Sequence, residues 1–390
     1  MSAPRDKLKI LSIFGTRPEA IKMAPVIREL ESCSDIESRV VLTAQHREML
    51  DQVVDTFNIK PDYDLEVMRP GQDLFDVTAA VLKGLKGILE VERPHLVLVQ
   101  GDTTTTFTGA LAAFYRQIPV GHIEAGLRTY QKFAPFPEEI NRVLTTRLAD
   151  LHFAPTDRSR DALLKEGVDR ARIFVTGNPV IDALYQALEQ PYHLDPAISR
   201  AFRDNKRVIL LTTHRRENLG APLQGVYMAL REVLLAHPDV GVVFPVHKNP
   251  AVRREVNSIL RGVERVYLTE PLDYLPFINV MKMSYLVLTD SGGIQEEAPA
   301  LGKPVLVLRE VTERPEAVAF GTARLIGTDL RKVEYEVNHL LDDEDAYLRM
   351  SNAVNPYGDG IAARRIIQAI NFYFGMGSAP VDFSPGTLHW

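Results

Sequence analysis

The sequence predicts an α/β protein built from two doubly wound domains with parallel sheets. Short runs rich in Val, Ile and Leu recur along the chain, each followed by polar turn residues and then by a stretch with helical apolar spacing, the rhythm of βα units. These runs fall into two series separated by a polar segment. The length of 390 residues accommodates two or three domains of ~150 residues each.

The first series comprises Lys9–Phe14, Ser38–Thr43, His95–Gln100, Pro119–Ile123, Leu151–Ala154 and Arg172–Thr176. Their nearly continuous apolar character fits parallel strands covered on both faces by helices. Gln186–Asn205 carries Pro191, Pro196 and many charges but little apolar pattern, so it marks the boundary between domains over residues 1–185 and 186–358. The second series comprises Val208–Thr212, Gly241–Val246, Arg265–Thr269, Tyr285–Thr289, Pro304–Leu308 and Ala323–Ile326. Ile361, Ile366, Ile367 and Ile370 then predict a terminal helix over residues 359–374, and beyond Gly375 the chain reads as unstructured.

Composition narrows the function classes. Apolar residues make up 45% and charged residues 25%, and the mean hydropathy is -0.08, values of an ordinary soluble globular chain. A net charge of -6 gives no long-range attraction for nucleic acid or an anionic membrane, so an anionic ligand must meet locally arranged cations. The single cysteine, Cys33, allows neither an intrachain disulfide nor a cysteine metal cluster and points to a reducing compartment. The N-terminus is polar and the apolar run behind it stops at Gly15, too short for a signal peptide or a membrane span, so a cytoplasmic protein is expected.

In open α/β sheets ligands bind beyond the carboxyl ends of the strands, so the residues just after each run are the candidates. The first series offers Gly15-Thr16-Arg17-Pro18-Glu19, Gln45-His46-Arg47, Gln100-Gly101-Asp102-Thr103 and His122-Ile123-Glu124-Ala125-Gly126-Leu127-Arg128. The second offers Thr213-His214-Arg215-Arg216-Glu217-Asn218, Val246-His247-Lys248-Asn249 and Thr289-Asp290-Ser291-Gly292-Gly293.

Gly15–Glu19 has one glycine and no Lys-Ser/Thr pair, which disfavours dinucleotide and P-loop readings. Arg17 at a helix start suits an anion or simply caps a turn. Ser291, Gly292 and Gly293 allow an anion to approach backbone amides, though an Asp-capped glycine turn has the same pattern. Glu297 suits a ribose diol or an exposed helix face. Asp102, Glu124 and Glu138 form a set of carboxylates fit for general acid and base work, each with a plainer reading as a cap or an ion pair, such as Glu138 with Arg142. His122 reads equally as a core histidine. His214 can serve a phosphate leaving group or move a proton. No metal is expected, because His-Glu-x-x-His and cysteine pairs are absent.

With these residues in order, the chain closely resembles the bacterial non-hydrolysing UDP-N-acetylglucosamine 2-epimerases, from about Lys9 to Ile370. Besides the segments above, the resemblance runs through Gln45–Leu50, Pro137-Glu138-Glu139, Asp290–Glu297 and Thr312-Glu313-Arg314-Pro315-Glu316. It implies a GT-B-type fold, two Rossmann-like domains facing an interdomain cleft, with the terminal helix packed back on the first domain. It also implies a homodimer and no cofactor. The expected reaction inverts C2 of UDP-N-acetylglucosamine to give UDP-N-acetylmannosamine for cell-surface polysaccharide.

By the same resemblance Asp102, Glu124 and Glu138 are the acid/base carboxylates and His214 assists departure of UDP. Arg17, Lys22 and Arg314 are active-site cations, Ser291, Gly292 and Gly293 hold the diphosphate, Glu297 meets the ribose and Phe277 the uracil. Gln45, His46, Gln72 and His247 resemble a second, regulatory nucleotide-sugar site, but the arginine of the family pattern close to Gln72 has no clear counterpart here, with Arg69 a candidate for it. A GT-B glycosyltransferase and a hydrolysing 2-epimerase are the alternatives.

Overall fold

The computed structural model describes residues 7–43, 47–69, 71–215 and 218–386. The chain divides into two compact units, Met1–Ala187 with Tyr357–Trp390, and Leu188–Pro356.

The first unit is a seven-stranded parallel sheet in the order β3-β2-β1-β4-β5-β6-β7. Its strands are β1 (Leu8–Phe14), β2 (Ile36–Leu42), β3 (Tyr63–Asp64), β4 (Leu96–Gln100), β5 (Val120–Ile123), β6 (Leu151–Ala154) and β7 (Ile173–Val175). The helices are α1 (Arg17–Ser32), α2 (Arg47–Thr56), α3 (Leu74–Glu92), α4 (Thr104–Tyr115), α5 (Glu138–Leu148), α6 (Asp157–Lys165) and α7 (Pro179–Leu188). Leu11, Ile13, Val97 and Val99 of the central strands pack on Val81, Leu85 and Leu89 of α3 and Ala110 and Ala113 of α4, all buried. Each buried Val, Leu or Ile there contributes about 1.5–3 kcal/mol.

The second unit is a six-stranded parallel sheet in the order β10-β9-β8-β11-β12-β13. It comprises β8 (Arg207–Thr212), β9 (Val240–Pro245), β10 (Val266–Thr269), β11 (Leu286–Thr289), β12 (Val305–Val307) and β13 (Ala323–Leu325). Its helices are α8 (Pro196–Asp204), α9 (Ala221–Ala236), α10 (Pro250–Ile259), α11 (Tyr274–Met283), α12 (Ile294–Ala300), α13 (Pro315–Ala319), α14 (Leu330–Asp342) and α15 (Glu344–Ser351). Ile209, Leu211, Val242, Phe244 and Leu288 pack there on Leu230 and Val233 of α9 and Val333 and Val337 of α14.

Strand order reverses between β1 and β4 in one sheet and between β8 and β11 in the other. These are the crevices where doubly wound sheets take ligands.

Every apolar run named above becomes a strand; only the two-residue β3 is absent from the sequence reading. The terminal helix, α16 (Ala362–Tyr373), packs on α1 in the first unit. Asp182 of α7, buried, accepts from its first amides, Ala362 at 3.2 Å and Ala363 at 2.8 Å.

Residues 376–386 differ from their reading as unstructured. Without regular secondary structure, they are nonetheless tied to the edge strand β7: Val175 N–H donates to Asp382 at 3.0 Å and Phe383 N–H donates to Val175 O at 2.7 Å. Phe383 is buried, and the exposed strand edge is thereby partly paired. Among the described residues no helix is long and apolar enough to cross a membrane.

Candidate active site

The loop after β1 folds on its own glutamate. Thr16 caps α1, and Glu19 accepts from Gly15 N–H at 2.9 Å, Thr16 N–H at 2.8 Å and the Thr16 hydroxyl at 2.9 Å. Thr103 and Thr106, across the switch point, also donate to it at 2.5 and 3.0 Å. The helix-start amides that hold phosphate in dinucleotide folds thus hold a side-chain carboxylate here. Full burial raises the Glu19 carboxyl, and the donors around it act against that rise. Arg17 stands on the same loop, half-buried, with no ion-pair partner among the described residues.

Glu124 follows β5 with φ of 65°, a left-handed backbone that few glutamates adopt. Its nearly buried carboxylate is fixed by three donors: Lys22 Nζ of α1 at 2.5 Å, Gln100 Nε2 at 2.5 Å and Asn178 Nδ2 at 3.0 Å. Lys22 and Glu124 are therefore brought together. Gly101, with φ of 76°, passes 3.6 Å from Glu124 Oε2 at the position a Cβ would take.

Asp102 comes next on the same turn. Arg142 of α5 pairs with it at 2.7 Å, and Asn141 Nδ2 donates to its backbone carbonyl at 2.9 Å. The cap of α4 is Thr103, whose hydroxyl accepts from Thr106 N–H. Arg142 also pairs with Glu139 at 3.1 Å, three residues before it on the helix. Glu138 opens α5 with Oε2 buried and unpartnered among the described residues. Most buried polar atoms of a folded chain have a hydrogen-bond partner, so this oxygen stands apart from the carboxylates of Asp102 and Glu124.

His122 lies beneath this turn, fully buried, its Nε2 2.7 Å from Gly101 O. Burial pushes its pKa down to about 4, so the ring is neutral.

In the second unit His214 follows β8 and Asp290 follows β11, on the two sides of the switch point. His214 Nδ1 lies 2.8 Å from Asp290 Oδ1. Asp290 Oδ2 accepts from His214 N–H and Arg215 N–H, both at 2.9 Å, and from Asn218 Nδ2 at 3.4 Å. Burial would raise the Asp290 carboxyl, but the His214 ring and these amides prevail and hold it below the usual carboxylate range. Asp290 is thus not the cap of α12; Gly293 stands at that position. The His247 ring is 6.1 Å from that of His214, and burial and the neighbouring imidazole lower its pKa.

Around the start of α12, Ser291 N–H donates to the Thr289 hydroxyl at 2.9 Å. A Cβ added at Gly292 or Gly293 meets nothing within 4 Å, so the backbone there faces open space. Glu297 is buried and accepts from the Tyr274 hydroxyl at 2.8 Å. Phe277 sits one turn further along α11, half-buried. Arg314 pairs with Glu296. Gln72, in the first unit, accepts from Arg69 N–H at 2.5 Å; Gln45 and His46 lie outside the described residues.

Sequence reading missed the pairing of His214 with Asp290 and the roles of Gln100, Asn178 and Arg142. Asn178 was open to discovery, since it follows the β7 run as the other candidates follow theirs. Among the described residues no cluster of three His, Cys, Asp or Glu could hold a metal ion.

UDP-N-acetylglucosamine 2-epimerase of Yersinia pestis is 55% identical over 369 residues, 93% of this chain and 98% of that one. The crystal structure of UDP-GlcNAc 2-epimerase from Neisseria meningitidis bound to UDP-GlcNAc matches with a TM-score of 0.85 at 49% identity, over 93% of this chain and 99% of that one. The kitacinnamycin glycotransferase, at 16% identity and a TM-score of 0.64 over 94% of this chain and 100% of that one, shares the GT-B-type fold alone. The family model for UDP-N-acetylglucosamine 2-epimerase matches residues 28–371, and the chain belongs to that family.

Proposed function

We propose that the protein interconverts UDP-N-acetylglucosamine and UDP-N-acetylmannosamine by eliminating UDP and adding it back, without hydrolysis. The observation that carries this reading is the set of carboxylates at one sheet edge, Asp102 with Arg142, Glu124 with Lys22, and Glu138 with an unpartnered buried oxygen.

The C2 proton of the sugar is not acidic in the ground state. As the C1–O bond breaks, its electron pair leaves with UDP and positive charge grows at C1. The adjacent C2–H then becomes acidic enough for a carboxylate to take the proton, giving 2-acetamidoglucal and UDP. A second acid returns a proton to the opposite face of C2 while UDP re-adds at C1, so two acid/base groups must flank the ring. No hydride moves, so the reaction needs no nicotinamide cofactor.

The second unit handles UDP in this reading. Glu297 would accept from the ribose, Phe277 would contact uracil, and Tyr274, one turn before Phe277 on α11, already holds Glu297. The open backbone at Gly292 and Gly293, the Ser291 hydroxyl and the cations Arg17, Lys22 and Arg314 would stabilise charge on the diphosphate, where preorganised donors contribute most. His214 would assist the leaving phosphate. A homodimer working in the cytoplasm and supplying cell-surface polysaccharide completes the proposal. Exposed Phe75 and Val91 on α3 and Phe114 and Tyr115 on the adjoining α4 offer apolar surface for a dimer.

Incubation with UDP-N-acetylglucosamine alone tests the reading. Proton NMR should show an equilibrium mixture of two intact UDP-sugars with no acceptor present. Release of free sugar would indicate the hydrolysing reaction, and a requirement for an acceptor a glycosyltransferase.

A further inference from the structure

The β8–β11 crevice contains a relationship that no motif displays. His214 is exposed, yet its Nδ1 is directed at a carboxylate with no exposure at all. Oδ2 takes the Arg215 amide and the Asn218 side chain, the His214 amide is shared between Oδ2 at 2.9 Å and Oδ1 at 3.2 Å, and the ring has Oδ1 as its closest partner, at 2.8 Å. An ionised carboxylate only accepts, so the ring must donate, and the proton of a neutral His214 resides on Nδ1. Nε2 has no hydrogen-bond partner among the described residues and is the atom left for a ligand.

We propose that Asp290 is a positioning residue that fixes both the orientation and the tautomer of His214, so that Nε2 alone faces the departing UDP. This rests on the proposed role of His214 in UDP departure. The imidazolium hands its Nε2 proton to the phosphate oxygen leaving C1, whose bond electrons that oxygen retains. The neutral ring keeps its second proton on Nδ1 against Asp290, and Nε2 takes its proton back as UDP re-adds. The same carboxylate anchors the β8 loop through the amides of His214 and Arg215, so the backbone that carries the ring is held by the same acceptor that orients it. Serving the ring and the loop from one buried group gives the rigidity that a proton-transfer geometry needs.

Asp290→Asn makes the idea testable, because the amide cannot present an oxygen on both sides. The two backbone N–H groups claim its oxygen, its NH2 turns toward Nδ1, and the ring must then accept at Nδ1 and carry its proton on Nε2. The measurement is the imidazole 15N spectrum of histidine-labelled protein without substrate, with His214→Gln identifying the signal. Wild type should show Nδ1–H and Asp290→Asn should show Nε2–H. In epimerase assays Asp290→Asn should lower kcat about 10²–10⁴-fold, the usual worth of a general acid or base, with KM within a few-fold. In a His214→Gln background the same change should cost less than about threefold, because groups acting as a unit are not additive.

An Nε2–H tautomer in the wild type overturns the proposal whether or not the variant folds. So does a full Asp290→Asn penalty in the His214→Gln background, which would assign Asp290 to the loop alone. Full epimerisation by His214→Gln would instead overturn the role of His214 in UDP departure and leave the tautomer assignment standing.

Discussion

Glu124 illustrates how much of the site is prepared before any ligand arrives. Its carboxylate, carried on a left-handed backbone at φ of 65°, is held by Lys22 of α1, Gln100 of β4 and Asn178 of the loop after β7. Such a conformation carries a cost of order 1–3 kcal/mol that the surrounding structure must offset. Asp102→Asn, Glu124→Gln and Glu138→Gln should each lower epimerisation about 10²–10⁴-fold. UDP affinity, by calorimetry, should change only a few-fold, because these groups act on the sugar. Near-normal turnover in all three would remove them from the reaction. At this scale the sequence was informative about identity and silent about pairing. Asp102, Glu124 and His214 are readable because each follows an apolar run. The partner of His214 lies 76 residues away, and Glu19 reaches Thr103 across 84, so both depend on strand order rather than on local spacing.

Elements set which glycines serve the fold and which leave room for a ligand. Gly126 has φ of 92°, and a Cβ there would sit 2.2 Å from Ser159 O. Gly126→Ala should therefore destabilise by more than about 2 kcal/mol or prevent folding, as overpacking and strain at one position combine. Gly292→Ala meets open space, so its melting temperature should match wild type within a few degrees while UDP binding weakens. A large thermal shift at Gly292, or none at Gly126, would contradict this division.

The cap of α16 gives a second prediction at this scale. Burial raises the Asp182 carboxyl to about 7, against the pull of the Ala363 and Ala362 amides. The protonated form is favoured in the folded chain, so this contribution to stability is full below the unfolded pKa, near 4, and is lost as pH rises through 7. Urea midpoints of wild type relative to Asp182→Asn should fall between pH 5 and pH 7, by at most about 1.4 kcal/mol per pH unit. Parallel curves would mean that Asp182 stays charged throughout. The strands were legible because each is a run of apolar β-formers. The two-residue β3 is too short for any periodicity, and the docked tail depends on Asp382 and Phe383 meeting a strand more than two hundred residues earlier.

For the whole molecule, the net charge of -6 says little about the ligand. The cations proposed to meet it are Arg17, without an ion-pair partner among the described residues, and Lys22 beside Glu124 in one unit, and Arg314 beside Glu296 in the other. The fold itself does not choose a reaction, since a glycotransferase shares it at 16% identity. The choice rests on proton chemistry at C2. Incubating the protein with UDP-N-acetylglucosamine in D₂O and following C2 by NMR tests that most directly. Proton abstraction and return predict deuterium at C2 of intact UDP-sugar in both epimers. Conversion without deuterium, or deuterium found only in free sugar, would contradict the account.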